Sequence, residues 1–223
     1  MINRIISEIL LEKPKELPRI ITTAFQLQPG GYGYGDKFCG TKWPILRKIA
    51  KKYKNISLSE CEELLQNPLH EARFVALVIL KLNFKKSPDE ICQIFMRNLK
   101  FVNNWDLTDC FSHYILGQYS ILHNDDSLII NLSEADNLWK NRISIVSTFA
   151  YIKNFKFILT LNLSEKFINH NHHLIHKACG WMLREISKIE PEIVIDFIKE
   201  NPQMPSIMRS YAMEWLRKKA KQA

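Results

Sequence analysis

The chain has 223 residues, 46% hydrophobic and 24% charged with only 7 Gly and 9 Pro, which gives room for a substantial core and excludes collagen-like, low-complexity or largely disordered chains. Lys and Arg outnumber Asp and Glu by 31 to 23, a net charge of +8 that suits a polyanionic partner such as nucleic acid. Five scattered cysteines without a C-x-x-C pair, no apolar run of about 18 residues and no signal-peptide pattern at Met1–Glu8 argue against a disulfide scaffold, a membrane span and secretion, so a cytoplasmic protein is expected.

Residues 3–12 and 16–27 read as two short helices separated by Pro14. Residues 29–40 contain five of the seven glycines and must form a loop, because glycine at this density disfavours helix and strand alike. The loop lacks the G-K-[ST] ending of a phosphate-binding P-loop and the preceding strand of a dinucleotide fingerprint. Two readings stay open for it: a structural connector, or backbone amides turned towards phosphate. Thr41-Lys42-Trp43-Pro44 opens the next helix, with Pro44 in the first turn where its missing N–H costs nothing. Ile45, Leu46, Ile49 and Ala50 form its apolar stripe, and Arg47, Lys48, Lys51, Lys52 and Lys54 cover the rest, as a solvated face or as a surface for an anion.

From residue 56 onward a shorter helix alternates with a longer, more apolar one. The pattern predicts helices near 59–66, 70–82, 88–100, 104–118, 125–132, 138–151, 155–168, 173–187, 191–199 and 205–219. No period-2 alternation bounded by turns occurs, so an all-α fold is expected. The longer helices align on a polar position held by Arg73, Asp109, Arg142, Lys177 and Arg209, recurring every 32–36 residues. Three residues further lie Ala76, Ser112, Ile145, Gly180 and Ala212, mostly small. Helix pairs repeated at this interval suggest a right-handed α-solenoid of HEAT-like antiparallel pairs, one domain over residues 1–223. The longer helices, apolar on most of their circumference, would be flanked on several sides and leave one narrow face open to a concave surface. Cations at that phase would make a basic stripe matched to phosphates, or would serve as ordinary salt bridges within the stack.

Asp109 breaks the stripe. A carboxylate on a phosphate track weakens binding, so a working role has to lie elsewhere. Asp106, at the second position of its helix, is accounted for by the helix dipole. Asp109 lies a turn deeper and shares a face with Trp105 at i, i+4. An indole beside a carboxylate on a basic surface is a receptor for positive charge, such as an alkylated base or a sugar acquiring oxocarbenium character. Alternatively Trp105 and Trp181 are core residues and Asp109 pairs with a cation of the next layer. The histidines at 170, 172, 173 and 176 include an i, i+4 pair but have no adjacent Cys and no H-E-x-x-H pattern, so no metal is expected.

Several pieces are family signatures: Phe38-Cys39-Gly40-Thr41-Lys42-Trp43-Pro44, Trp105-Asp106-Leu107-Thr108-Asp109, Leu116-Gly117, Leu138-Trp139-Lys140-Asn141-Arg142, and the run Lys177-Ala178-Cys179-Gly180-Trp181-Met182-Leu183-Arg184-Glu185. In these pieces and their order the chain resembles the AlkD-like DNA alkylation repair family, HEAT-like-repeat glycosylases that remove N3- and N7-alkylated purines. The resemblance implies that Asp109 is the catalytic carboxylate, that Trp105 and Trp181 are aromatic walls for the damaged nucleotide's backbone, and that Arg142 is the cation beside them. It implies duplex DNA with alkylated bases as substrate, base excision repair as the process, no cofactor and a monomer. Lys42 stands where such a relative has a glutamine near the DNA, and Lys42, Arg47, Arg73, Lys177 and Arg209 are the expected DNA contacts. A non-catalytic module for branched or distorted DNA and a HEAT-type protein scaffold are the competing functions.

Overall fold

The computed structural model describes residues 1–221. Among them the chain is helical, with a single isolated bridge, Lys37 to Leu69, and no strand. The fold class is all-α, an α-solenoid-like succession of helix pairs. It divides into two compact units, Met1–Phe111 and Ser112–Ala223.

The first unit contains α1 (Ile2–Leu11), α2 (Arg19–Ala24), α3 (Trp43–Lys52), α4 (Leu58–Leu65), α5 (His70–Asn83), α6 (Pro88–Arg97) and α7 (Trp105–Phe111). A capping box starts α4: the Ser57 hydroxyl accepts from the Glu60 amide at 3.2 Å, and the Ser57 amide donates to the Glu60 carboxylate at 3.1 Å. Pro88 starts α6 at a position where no N–H is needed. The core forms around α5, whose residues from His70 to Leu80 are all buried. Such a helix needs cover on every side, and α1, α3, α4 and α7 supply it.

The second unit contains α8 (Gln118–His123), α9 (Ser127–Ser133), α10 (Leu138–Ser147), α11 (Phe149–Ile152), α12 (Ile158–Lys166), α13 (His173–Ser187), α14 (Pro191–Glu200), α15 (Ser206–Ala212) and α16 (Glu214–Ala220). Here α13 is central, packed against α10, α12, α14 and α15. Asn137 caps α10 by accepting from the Trp139 and Lys140 amides.

The helices expected at 138–151 and 205–219 are each interrupted, at Thr148 and at Met213, and three further segments depart from the expected helices. The helix expected at 16–27 covers only Arg19–Ala24, and Gln26 at φ 48 turns the chain away. The helix expected at 104–118 ends at Phe111, and a π-helical turn, His113–Gly117, follows it, with the Gly117 amide donating to the Ser112 carbonyl five residues back. The helix expected from 155 starts at Ile158, because Phe155 adopts φ 57 and closes α11 in a left-handed cap with amides returning to Tyr151 and Ile152. The five cysteines are free thiols. Among the described residues no helix is long and apolar enough to cross a membrane.

Candidate functional site

Trp105 opens α7, and its amide donates to the side-chain oxygen of Asn104 at 2.8 Å. Its indole stacks on Phe25 (5.0 Å between centroids, 19° between planes) and meets Trp43 edge-on (5.9 Å, 77°). The indole N–H donates to the Ala24 carbonyl at 3.1 Å. Trp105 is thus a wall residue rather than core. It lines a cavity of about 860 Å³ with Pro18, Ile21, Ala24, Phe25 and Trp43, mostly apolar, and exposed Lys42 lies on its rim.

Asp109 is half-buried one turn beyond Trp105. The Thr108 hydroxyl lies 3.1 Å from Asp109 Oδ1 and 3.0 Å from the Trp105 carbonyl, and its single proton is shared between these two acceptors. Nearby on α3 the exposed Arg47 guanidinium sits 5.5 Å above the Phe74 ring, and the Trp43 indole stacks on the same ring at 6.2 Å.

Beneath Trp105 runs a buried charge network. His70, 2% exposed, faces Asp106 Oδ2 at 2.8 Å through Nε2 and Asp36 Oδ2 at 3.0 Å through Nδ1. Arg73 pairs with Asp36 and donates to the Asn103 side chain at 3.0 Å. Burial opposes the charge on His70, but Asp106 and Asp36 outweigh it and hold the ring's pKa up at about 8. Burial likewise opposes the Asp36 charge, yet His70 and Arg73 keep that carboxyl below its ordinary value.

This network corrects two expectations. Arg73 is not on an open stripe: its side chain is 4% exposed and committed to Asp36 and Asn103. The charge is drawn inward by an acid 37 residues earlier, delivered by the glycine-rich loop. Asp106 is more than a dipole partner, because it is fully buried against His70. In the loop itself the amides of Gly31 and Gly33 donate to the Gln28 and Gln26 carbonyls, those of Tyr34 and Asp36 to Gly31 and Gly33, and those of Cys39 and Gly40 to buried Glu71.

In the second unit Arg142 is buried midway along α10 and donates to the Leu174 carbonyl at the start of α13. Trp181, half-buried on α13, donates through its indole N–H to Glu185 at 3.1 Å and lies 6.0 Å from the Phe149 ring. Lys177 is half-buried on the same helix. Arg209 donates to the Asn201 and Pro202 carbonyls at 3.3 and 3.2 Å, tying α15 to the turn after α14. The histidines serve the entry to α13: His170 Nδ1 accepts from the His172 amide and His172 Nδ1 from the Leu174 amide. Among the described residues no group of three or more His, Cys, Asp or Glu side chains is placed to hold a metal ion.

The family model of the DNA alkylation repair enzyme matches residues 15–216. The chain belongs to the DNA alkylation repair enzyme family. A solved structure described as a predicted DNA alkylation repair enzyme from Enterococcus faecalis is similar over 92% of this chain and 97% of that one, with a TM-score of 0.74 and 18% identity. At that identity the likeness concerns the fold. No curated protein matches the chain.

In this member of the DNA alkylation repair family, Trp105, Asp109, Lys42 and Arg47 all belong to the first unit, and Arg142, Trp181, Lys177 and Arg209 to the second. Phe25, Trp43, His70 and Asp36 were not expected at the site. Trp43 lay inside a family signature piece, whereas nothing local marks Phe25 or pairs His70 with acids 34 residues before it and 36 after it.

Proposed function

We propose that the chain is a DNA glycosylase that hydrolyses the N-glycosidic bond of N3- or N7-alkylated purines in duplex DNA. The observation that carries this reading is the pairing of Asp109 with Trp105 on one face of α7, with Thr108 between them and an aromatic-walled cavity at Trp105. An alkylated purine is a cation while attached, so the C1′–N bond breaks with its electron pair leaving on a neutral base. What remains is positive charge on the sugar. Asp109 stabilises that charge and orients the water whose oxygen bonds to C1′, the displaced proton passing to the carboxylate or solvent. Trp105 is the aromatic contact to the nucleotide. By the resemblance Trp181 is a second such contact and Arg142 an accompanying cation.

Lys42, Arg47 and Lys177 are the proposed phosphate contacts. Arg73 leaves that set, because a buried, ion-paired guanidinium has no charge to offer a phosphate without breaking its pair with Asp36. Arg209 stays in it only through the donors not used on the Asn201 and Pro202 carbonyls. The double variant Lys42→Glu/Arg47→Glu is expected to weaken duplex binding and to flatten the slope of log affinity against log salt by about 0.9 per lost phosphate contact. Fluorescence anisotropy across a salt series checks this, and an unchanged slope would remove α3 from the interface.

The deciding assay is release of free base from duplex containing 7-methylguanine or 3-methyladenine. Time-dependent release by the purified monomer supports the glycosylase. Salt-sensitive binding with no release from either substrate would favour a non-catalytic DNA-binding module instead.

A further inference from the structure

His70 sits where the glycine-rich loop, α5 and α7 meet. Its two ring nitrogens face carboxylate oxygens at 2.8 and 3.0 Å. A neutral imidazole has one N–H, so one of these contacts would set a lone pair against a carboxylate. Only the imidazolium donates to both. The ring also stacks on Phe38 (4.0 Å, 19°) and is met edge-on by Phe25, the residue on which Trp105 stacks.

The residues held by this arrangement flank Trp105. Asp106 follows it and is held by His70; Asn103 lies two before it and is held by Arg73. Asp36 ties both cations to the loop, and a Cβ on Gly33 would lie 2.2 Å from the Phe25 carbonyl and 3.1 Å from the Asn104 side-chain nitrogen Nδ2. The loop therefore packs directly under the entrance to α7. With His70 protonated, two cations balance two carboxylates in a dry site; without that proton, an uncompensated negative charge remains.

We propose that His70 is a positioning residue: its imidazolium bridges Asp36 and Asp106 and so fixes the first turn of α7, and with it the angle at which Trp105 and Asp109 meet the substrate. This deepens the glycosylase reading and rests on it for its catalytic consequence, though the bridge itself does not. A small misplacement of a reacting group costs up to about 100-fold in rate, which sets the scale of the effect.

The groups facing His70 are Asp36 from the loop, Asp106 from α7 and Arg73 from its own helix, with the guanidinium 3.2 Å from Nδ1. Glu71, also on α5, is turned to the Cys39 and Gly40 amides, and burial pushes the Cys110 thiol on α7 up to about 11, so it stays neutral. The folded-state pKa of His70, about 8, lies above its ordinary value. The bridge is therefore intact at pH 7 and is lost as pH rises through about 8, while its contribution to stability is complete only below the ordinary histidine range.

The test combines a structural and a kinetic arm. Nitrogen-15 NMR of the wild-type protein should show both His70 nitrogens protonated at pH 7. The indole N–H signal of Trp105, identified by its loss in Trp105→Phe, should shift with the same midpoint as the His70 titration. A neutral, single-tautomer His70 at pH 7, or a Trp105 signal that ignores the titration, would overturn the bridge whether or not the protein is a glycosylase. In the kinetic arm base release should fall as pH rises through about 8. His70→Gln should be about 10- to 100-fold slower at pH 7 with that limb gone, and His70→Arg, a permanent cation with a forked donor set, should restore rate and abolish the limb. The same alkaline decline in His70→Arg would assign the titration to another group. Absence of base release in the wild type would sink the glycosylase reading alone, because the NMR arm still decides the bridge.

Discussion

Asp109→Asn should lower base release by about 100- to 1,000-fold, the cost of removing one preorganised electrostatic partner of a transition state. The change is nearly isosteric. Thr108 can still donate to the Asn oxygen, as it lies 3.1 Å from Asp109 Oδ1, so that contact survives the loss of charge. A unit charge pair at 4 Å interacts by about 4 kcal/mol at an effective dielectric of 20, an upper bound consistent with a loss of that size. Duplex affinity should be unchanged or slightly improved, because a carboxylate beside a phosphate-binding surface repels its ligand. The melting temperature should move far less than the rate, since Asp109 is half-buried rather than core. The measurement is single-turnover release of 7-methylguanine, with anisotropy on the same duplex. A mutant as fast as the wild type would remove Asp109 from the chemistry, and a mutant that fails to bind would show that its role is structural.

The helices were readable in the sequence because their signals are local. Apolar residues at helical spacing, Pro88 and Pro191 at first turns, Ser57 with Glu60 and Asn137 before α10 all act within a few residues of where they stand. The Trp105–Asp109 pairing was readable for the same reason, being an i, i+4 relation on one helix. The cation stripe was readable only as a phase. Arg73 shares that phase with Arg142, Lys177 and Arg209, but its environment is set by Asp36, whose arrival depends on how residues 30–36 fold back. No pattern within α5 encodes that return. Asp106 illustrates the converse error: the helix-dipole explanation was sufficient, so nothing called for a partner, yet His70 stands 2.8 Å away. The π-helical turn at His113–Gly117 was invisible because no residue type encodes a five-residue hydrogen-bond step, and Gly117 alone marks only a weak point in a helix. Phe155 was misread because a left-handed cap is normally filled by glycine or asparagine, and Asn154 stands one residue too early.

Gly180, one of the mostly small residues three positions beyond the repeated polar one, offers the strongest test of how closely the helices of the second unit approach. Glycine in mid-helix costs about 1 kcal/mol relative to alanine, so α13 forgoes stability to keep it. The reason lies in α15: a Cβ on Gly180 would sit 2.5 Å from the Met208 carbonyl oxygen and 2.6 Å from Tyr211 Cβ. The nearest obstacle is backbone, which cannot swing aside as a side chain can. The slot is not uniformly small, since Ile145 occupies it in α10 and is fully buried, so it is the approach of α15 rather than the repeat that demands glycine. Gly180→Ala should therefore lower stability in spite of its better helix propensity, and Gly180→Leu should lower it further. Overpacking of a filled core costs about 1–3 kcal/mol and occasionally more. For a chain of this size each kcal/mol moves the melting temperature by about 2–4 °C, so the leucine variant should melt about 6–12 °C lower if the cost reaches the upper end. Thermal unfolding followed by circular dichroism measures both variants against the wild type. An alanine variant that melts higher than wild type would mean that helix propensity wins and that α13 and α15 can separate at little cost, which would remove close backbone approach as the reason for a glycine at this position.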